Sequence, residues 1–296
     1  MTRSIIQRAT ERAWRNGAAG QAEREGRSDK LSHGATAAGR WIIGSLLALA
    51  SCAALSPQAA VSEGVQFDHV VVFASGPGLQ SWLEQYFTNA EALDTRHEGQ
   101  GTRGRYFLFL NSFLEVLTLE DAAEARANEG AFGSRYVERW TDRHAAPLAV
   151  GLTLSEESFA SPPFAHVRYR TDDEEGGYVM SEGNADLESP LVYATGPARA
   201  FPRRKSIDEV NSIEDPGRRE AVRRYLTHPS GALSLTRVVW RAPTTKPSSS
   251  NAELARNLPE VTLEDSIGYE LVLEFDDRIS GEEVRFEGRP SVVLRF

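Results

Sequence analysis

The chain has 296 residues, 41% of them hydrophobic and 25% charged, with 33 basic and 42 acidic residues giving a formal charge of −9. That balance is globular and excludes a wholly disordered, collagen-like or polytopic membrane protein. One cysteine, Cys52, excludes any intrachain disulfide.

Residues 1–51 stand apart from the rest. They hold eight basic and four acidic residues, net +4, which leaves 25 basic and 38 acidic residues and a charge of −13 on the remainder. A basic stretch ends at Arg40 and the apolar run Trp41 to Ala50 follows, the order of the n- and h-regions of a secretory signal peptide. The run is too short for an ordinary spanning helix, which needs roughly 20 apolar residues. It ends in Leu49-Ala50-Ser51-Cys52, which resembles the lipobox of bacterial lipoproteins. The resemblance implies cleavage before Cys52, acylation of Cys52 by palmitate-type chains and residence in the bacterial cell envelope. Several acyl chains anchor firmly where one would not. Ala53 rather than Asp follows the cysteine, which favours the outer membrane slightly. An uncleaved anchor or a plain signal peptide is the alternative, since Trp41 to Ser62 carries no charge.

Residues 52–64 are small and polar and read as a tether. Val65 to Phe73 then reads as a strand, with Phe67, His69, Val71 and Phe73 on one face. Ser75 to Gly78 is a turn, and Leu79, Trp82, Leu83, Tyr86 and Phe87 follow at helical spacing. The Gly-rich loop His97 to Gly104 leads into a strand over Arg105 to Leu110. Asn111-Ser112 predicts a tight turn, and Phe113 to Leu119 the returning strand, with Phe113, Glu115, Leu117 and Leu119 on one face. The order is β-α-β-β-β. Glu120 to Arg143 reads as one helix, Ala146 to Leu154 and Ala165 to Tyr169 as strands, and Glu174 to Pro202 as irregular. Arg203 to Tyr225 is charged and partly helical, broken at Pro216-Gly217. From Leu233 a degenerate second pass begins, with strands at 235–242, 261–265, 269–275, 283–286 and 291–296 and a short helix at 251–258.

Phe67 to Val72, the loop His97-Glu98-Gly99-Gln100-Gly101-Thr102, and Asn111 to Asp121 resemble the glyoxalase-like branch of the vicinal oxygen chelate superfamily, as do His228 to Ala232 and Leu235 to Val238. The resemblance implies an α+β fold of two β-α-β-β-β modules paired into a cupped mixed sheet. The first module is 65–121, the connecting region 122–232 and the reduced second module 233–296. It also implies a divalent metal held by a His on the first strand and a Glu on the last strand of each module. His69 and Glu115 match in the first module. The second departs, with Thr236 where a His is expected and Val292 or Val293 where the Glu is expected. His97 is a candidate third ligand, against the three or four protein ligands such sites usually have.

Weighed as residues, His69 and Glu115 share faces with aromatic side chains, where a carboxylate is costly unless paired or hydrogen-bonded. They are metal ligands, an acid/base pair with Glu115 as the catalytic group, or a structural pair. His97, Gly99, Gly101 and Thr102 form a candidate ligand-binding loop. His144, His166 and His228 read as structural or solvated. The basic groups at 203–205 and 218–224 are interspersed with Asp and Glu and read as a solvated face, and a charge of −13 argues against nucleic acid. No Ser-His-Asp elbow, Walker loop or zinc-finger spacing is present. Three possibilities stay open: a metal-dependent lyase, isomerase or dioxygenase acting on a small oxygenated molecule, a non-catalytic small-molecule binding module, and a structural envelope protein. The sequence assigns no oligomeric state.

Overall fold

Strand β1 (Val65–Ala74) lies at the centre of the larger of two sheets, and its neighbours set the site. The computed structural model describes residues 64–97, 99–132, 135–169, 177–243 and 249–296. The signal segment, Cys52 and all of the tether except Gly64 lie outside the described residues. Among the described residues no helix is long and apolar enough to cross a membrane.

The architecture is mixed α+β. The eight-stranded sheet runs β2-β3-β4-β1-β5-β8-β7-β6. Its first four members are β1, β2 (Thr95–His97), β3 (Thr102–Leu108) and β4 (Phe113–Leu119), with helix α1 (Gly78–Leu83) after β1. Its other half is β5 (Leu148–Leu154), β6 (His166–Tyr169), β7 (Tyr178–Ser181) and β8 (Leu191–Thr195). β1 is parallel to β4 and β5 is parallel to β8, and the two halves meet in the antiparallel pair β1–β5. Between the halves lie helices α2 (Ala122–Phe132) and α3 (Glu138–Thr141), and α4 (Glu156–Ala160) follows β5.

The five-stranded sheet comprises β9 (Leu235–Ala242), β10 (Val261–Asp265), β11 (Glu270–Phe275), β12 (Glu283–Phe286) and β13 (Ser291–Arg295), in the order β10-β9-β11-β13-β12. Helices α5 (Ile207–Asn211) and α6 (Pro216–Leu226) precede it, and α7 (Ser250–Arg256) connects β9 to β10. The partner expected for the first module was 233–296. Instead the strands hydrogen-bonded through β1 and β5 come from 148–195, and 235–295 form their own sheet. Thr236, Val292 and Val293 therefore stand in a different sheet from His69 and Glu115.

One core joins the sheets. Val70, Val72, Leu114, Val116, Val150, Leu152, Val192 and Ala194 from the larger sheet cluster with Leu235, Trp240, Leu271, Leu273, Val292 and Leu294 from the smaller, and Leu79, Leu83 and Ala255 from α1 and α7 join them. Burial of this apolar surface, at roughly 25 cal/mol per Å², is the main stabilising contribution. A second cluster covers the opposite face of the larger sheet, with Val71, Phe73, Leu117, Ala149, Met180 and Leu191 against Tyr136 and Trp140.

Three local readings change. Residues 120–143 are two helices, interrupted before Tyr136, with Arg135 at φ 45°. Pro216 does not break a helix but opens α6 at its first turn, where its missing N–H costs nothing, while the Asp215 side chain caps the Arg218 N–H. The stretch 174–202 contains β7 and β8. β8 is held by a buried amide lock: Asn251 Nδ2 on α7 donates to Asn184 Oδ1 (2.7 Å) and Pro190 O (2.9 Å), while Asn184 pairs with both backbone groups of Val192. His228 is structural, as expected. Its Nδ1 accepts from the Thr88 N–H and its Nε2 donates to Leu108 O, and burial pushes its pKa down to about 4, so the ring is held neutral.

Candidate functional site

The site begins with a register fault. Strict alternation puts Phe67 and His69 on one face, but the β1–β5 pairing slips between these two residues. A β-bulge of this kind adds one residue and re-aims the side chains around it. Phe67 turns into the shared core, while His69, Val71 and Phe73 take the opposite face. The carbonyl of the bulged residue, Asp68, accepts from Ser112 Oγ at 3.0 Å, so it is not left unpaired.

Asp68 is 4% exposed, and its carboxylate is fully engaged. Oδ1 accepts from Thr153 Oγ1 (2.6 Å) and the Phe201 N–H (2.9 Å), and Oδ2 accepts from His69 Nδ1 (2.7 Å). Burial works to raise its pKa, but the hydrogen bond and charge interaction with His69 and the bonds from Thr153 and Phe201 outweigh it and hold the group below the usual carboxylate value. A carboxylate only accepts, so Nδ1 of His69 carries the proton. In the neutral ring Nε2 is then an acceptor, and it lies 2.5 Å from the Tyr193 hydroxyl. Phe113 stacks on the same imidazole at 3.9 Å between centroids, tilted by 14°. The result is a fixed Asp68–His69–Tyr193 chain.

Glu115 on β4 is 7% exposed and lies between two histidines, with Oε2 4.0 Å from His69 Nε2 and Oε1 3.9 Å from His97 Nε2. His97 is held by Thr102 Oγ1 (3.0 Å) at Nδ1 and the Tyr106 hydroxyl (3.1 Å) at Nε2. Tyr106 and Tyr193 both have their pKa raised well above 10, first by burial and then by the Glu115 charge, and Tyr136 is raised for the same two reasons. All three are neutral donors at physiological pH. Tyr106, Tyr193 and His97 are partly exposed, whereas His69 and Glu115 beside them are buried.

His69, Glu115 and His97 thus lie side by side. Thr102 is fully buried and acts through His97. Gly99 and Gly101 point to α2 rather than to the site. The Gly99 N–H donates to Glu124 Oε1, and the carbonyl of Gly101 accepts from the N–H groups of Glu120 and Asp121 (both 2.9 Å). Gly101 has φ +66°, and a Cβ there would lie 2.1 Å from Asp121 O, so glycine is required to seat the loop on the helix. Asp68, Tyr106 and Tyr193 were not anticipated. The Asp-His dipeptide was a visible signal for the first of them.

The resemblance implies a divalent metal at His69 and Glu115, and the donors as arranged do not fit one. Both nitrogens of each histidine are already engaged by Asp68, Tyr193, Thr102 and Tyr106. Among the described residues no three His, Cys, Asp or Glu side chains form a group suited to holding an ion. The arrangement can instead hold a small polar molecule against rings and hydroxyls, and move a proton along Tyr193, His69 and Asp68.

No known family's model matches the chain, and no curated protein matches it. A solved structure similar to it in part is that of a hypothetical protein from Staphylococcus aureus, with 10% sequence identity, a TM-score of 0.43, and coverage of 78% of this chain and 98% of that one.

Proposed function

We propose that the chain is a glyoxalase-like protein of the bacterial cell envelope, lipid-anchored at Cys52, whose face around His69 and Glu115 binds a small oxygenated molecule. In this proposal residues 65–119 and 148–195 are the two β-α-β-β-β modules of a cupped sheet, joined at β1 and β5, and 233–296 is an added sheet behind them. The strand order and the two parallel pairs support that division. The observation that carries the binding function is the convergence of His69, Glu115, His97, Tyr106 and Tyr193 on one partly exposed face, each already oriented by a neighbour.

A second reading is favoured by the Asp68–His69–Tyr193 chain. A proton taken from a bound molecule by the Tyr193 oxygen is matched by transfer of the hydroxyl proton to His69 Nε2, leaving an imidazolium beside the Asp68 carboxylate. Such general base catalysis contributes typically 10²–10⁴-fold. A divalent metal at His69 and Glu115 belongs to this reading only if Tyr193 releases His69 Nε2.

The test is a ligand-observed NMR screen of the purified full chain in detergent against small diols, hydroxy acids and phenols. Fragments are expected to bind the wild type and to lose at least tenfold in affinity in both His69→Ala and Glu115→Gln. A screen in which no fragment depends on either residue removes the proposal. For the anchor, labelled palmitate is expected to enter the protein in growing bacteria and to be absent from Cys52→Ser. Equal labelling of the two proteins rules the anchor out.

A further inference from the structure

Glu115 is an acid without a permanent cation. It is nine-tenths buried, and among the described residues no Lys or Arg lies within ion-pair distance of its carboxylate, where the only basic neighbours are the imidazoles of His69 and His97. The Tyr106 hydroxyl also hydrogen-bonds the carboxylate, but a neutral donor supplies no counter-charge, and a buried charge is costly without one. Asp68 next door adds a second negative charge to the same wall.

The surroundings are rings. His69 is stacked on Phe113, Tyr193 meets His69 edge-on at 5.5 Å, Tyr178 meets Tyr193 at 5.7 Å, and Tyr106 lies 6.0 Å from Phe113. Ring faces carry negative charge density and attract cations within about 6 Å of the centroid. This wall already seats one organic cation, since the Arg199 guanidinium carbon stands 5.1 Å over the Tyr178 ring. Burial first, and the Glu115 charge second, hold the protons on Tyr106, Tyr136 and Tyr193, so the hydroxyls beside the carboxylate stay neutral and bring no positive charge to it.

Resting on the reading of this face as a small-molecule site, we propose that its ligand is an organic cation, an alkylammonium or quaternary ammonium group that packs on the rings and neutralises Glu115. An anion would meet the charges of Glu115 and Asp68. A compact, strongly hydrated metal ion would need several free oxygen or nitrogen donors. A methylated ammonium head is weakly hydrated and needs only the carboxylate and the ring faces.

The experiment compares two probes of nearly equal shape on the full chain by titration calorimetry: choline, and 3,3-dimethylbutan-1-ol, in which carbon replaces the nitrogen. Choline is expected to bind at least tenfold more tightly than the alcohol, and Glu115→Gln is expected to abolish that preference while Glu115→Asp keeps part of it. Circular dichroism on each variant reports folding, and the wild-type preference between the probes needs no variant at all. If the alcohol binds as well as choline, and its binding is lost in His69→Ala, the cation is overturned and the small-molecule site stands. If neither probe binds, the cation is again overturned, and the fragment screen alone decides whether the site stands.

Discussion

Arg139→Met is expected to destabilise the protein by about 3–5 kcal/mol, because it strips a buried set of carbonyls of its one shared donor. Arg139 is 0% exposed on the short helix α3. Its Nη1 donates to the carbonyls of Ala146, Leu187 and Ser189, and its Nη2 to those of Asn184 and Asp186, at 2.5–3.3 Å. No carboxylate lies within ion-pair distance among the described residues, so carbonyl dipoles compensate the cation. Burial pushes its pKa down to about 10, still far above neutral, and the group stays charged. Methionine fills much of the volume but leaves the buried carbonyls of Ala146, Asn184 and Ser189 without this donor, each worth about 1–3 kcal/mol if left unsatisfied and less if water enters, while the part-buried carbonyls of Asp186 and Leu187 lose less, since Leu187 O keeps the Ala146 N–H. Arg139→Lys is expected to fall between the two, because an ammonium cannot reproduce the planar fork. Urea unfolding monitored by tryptophan fluorescence measures this directly. A loss under about 1 kcal/mol in Arg139→Met would show that the carbonyl cage is not what holds residues 184–189 to α3. The consequence reaches the site, since this segment leads into β8 and Tyr193.

The elements that were legible in the sequence are those with strong periodicity or strong turn chemistry. β1, β4, the Asn111-Ser112 turn and every strand of the five-stranded sheet have apolar patterns or flanking turns clear enough to be placed within a few residues. β7 and β8 do not, and length is not the reason, since β12 and β10 are as short. β7 lies between Gly177 and a 3-10 turn, and the acidic residues around the two strands mask the apolar ones. Missing these two of eight strands left β5 and β6 without the rest of their half of the larger sheet and 233–296 as the apparent partner, because that stretch repeats the same element types. The site divides in the same way. His69, Glu115 and His97 stand out by residue type on readable strands or loops. Asp68 was hidden because alternation assigns it to the face opposite His69, and only the bulge lets adjacent side chains meet. Tyr193 was hidden because its strand was. Gly99 and Gly101 did mark a tight loop, but the tightness serves the seating on α2. Spacing alone does not separate a glycine that admits a ligand from one that admits a helix.

Gly151→Ala is expected to remove ligand binding by at least tenfold and to cost about 2–3 kcal/mol of stability, although it adds a single methyl group. Gly151 is the residue directly opposite His69 across the β1–β5 pair. A Cβ there would stand 2.3 Å from His69 Cε1, 2.6 Å from Nδ1 and 2.7 Å from Nε2. The imidazole has nowhere to retreat without loss. Asp68 holds one edge, Tyr193 the other, and Phe113 covers one face. Rotating the ring away breaks both hydrogen bonds and leaves the buried Asp68 carboxylate short of one donor. A double-mutant cycle isolates this conflict from any general intolerance of β5 to a side chain. In a His69→Ala background the space is empty, and adding Gly151→Ala is expected to cost less than about 0.5 kcal/mol, so the coupling between the positions approaches 2 kcal/mol. Equal costs in both backgrounds would mean that the ring does not lie against Gly151, and the Asp68–His69–Tyr193 chain would fall with that placement. A large coupling, with circular dichroism unchanged in the single variant, fixes His69 over Gly151 and ties the lost binding to the displaced imidazole.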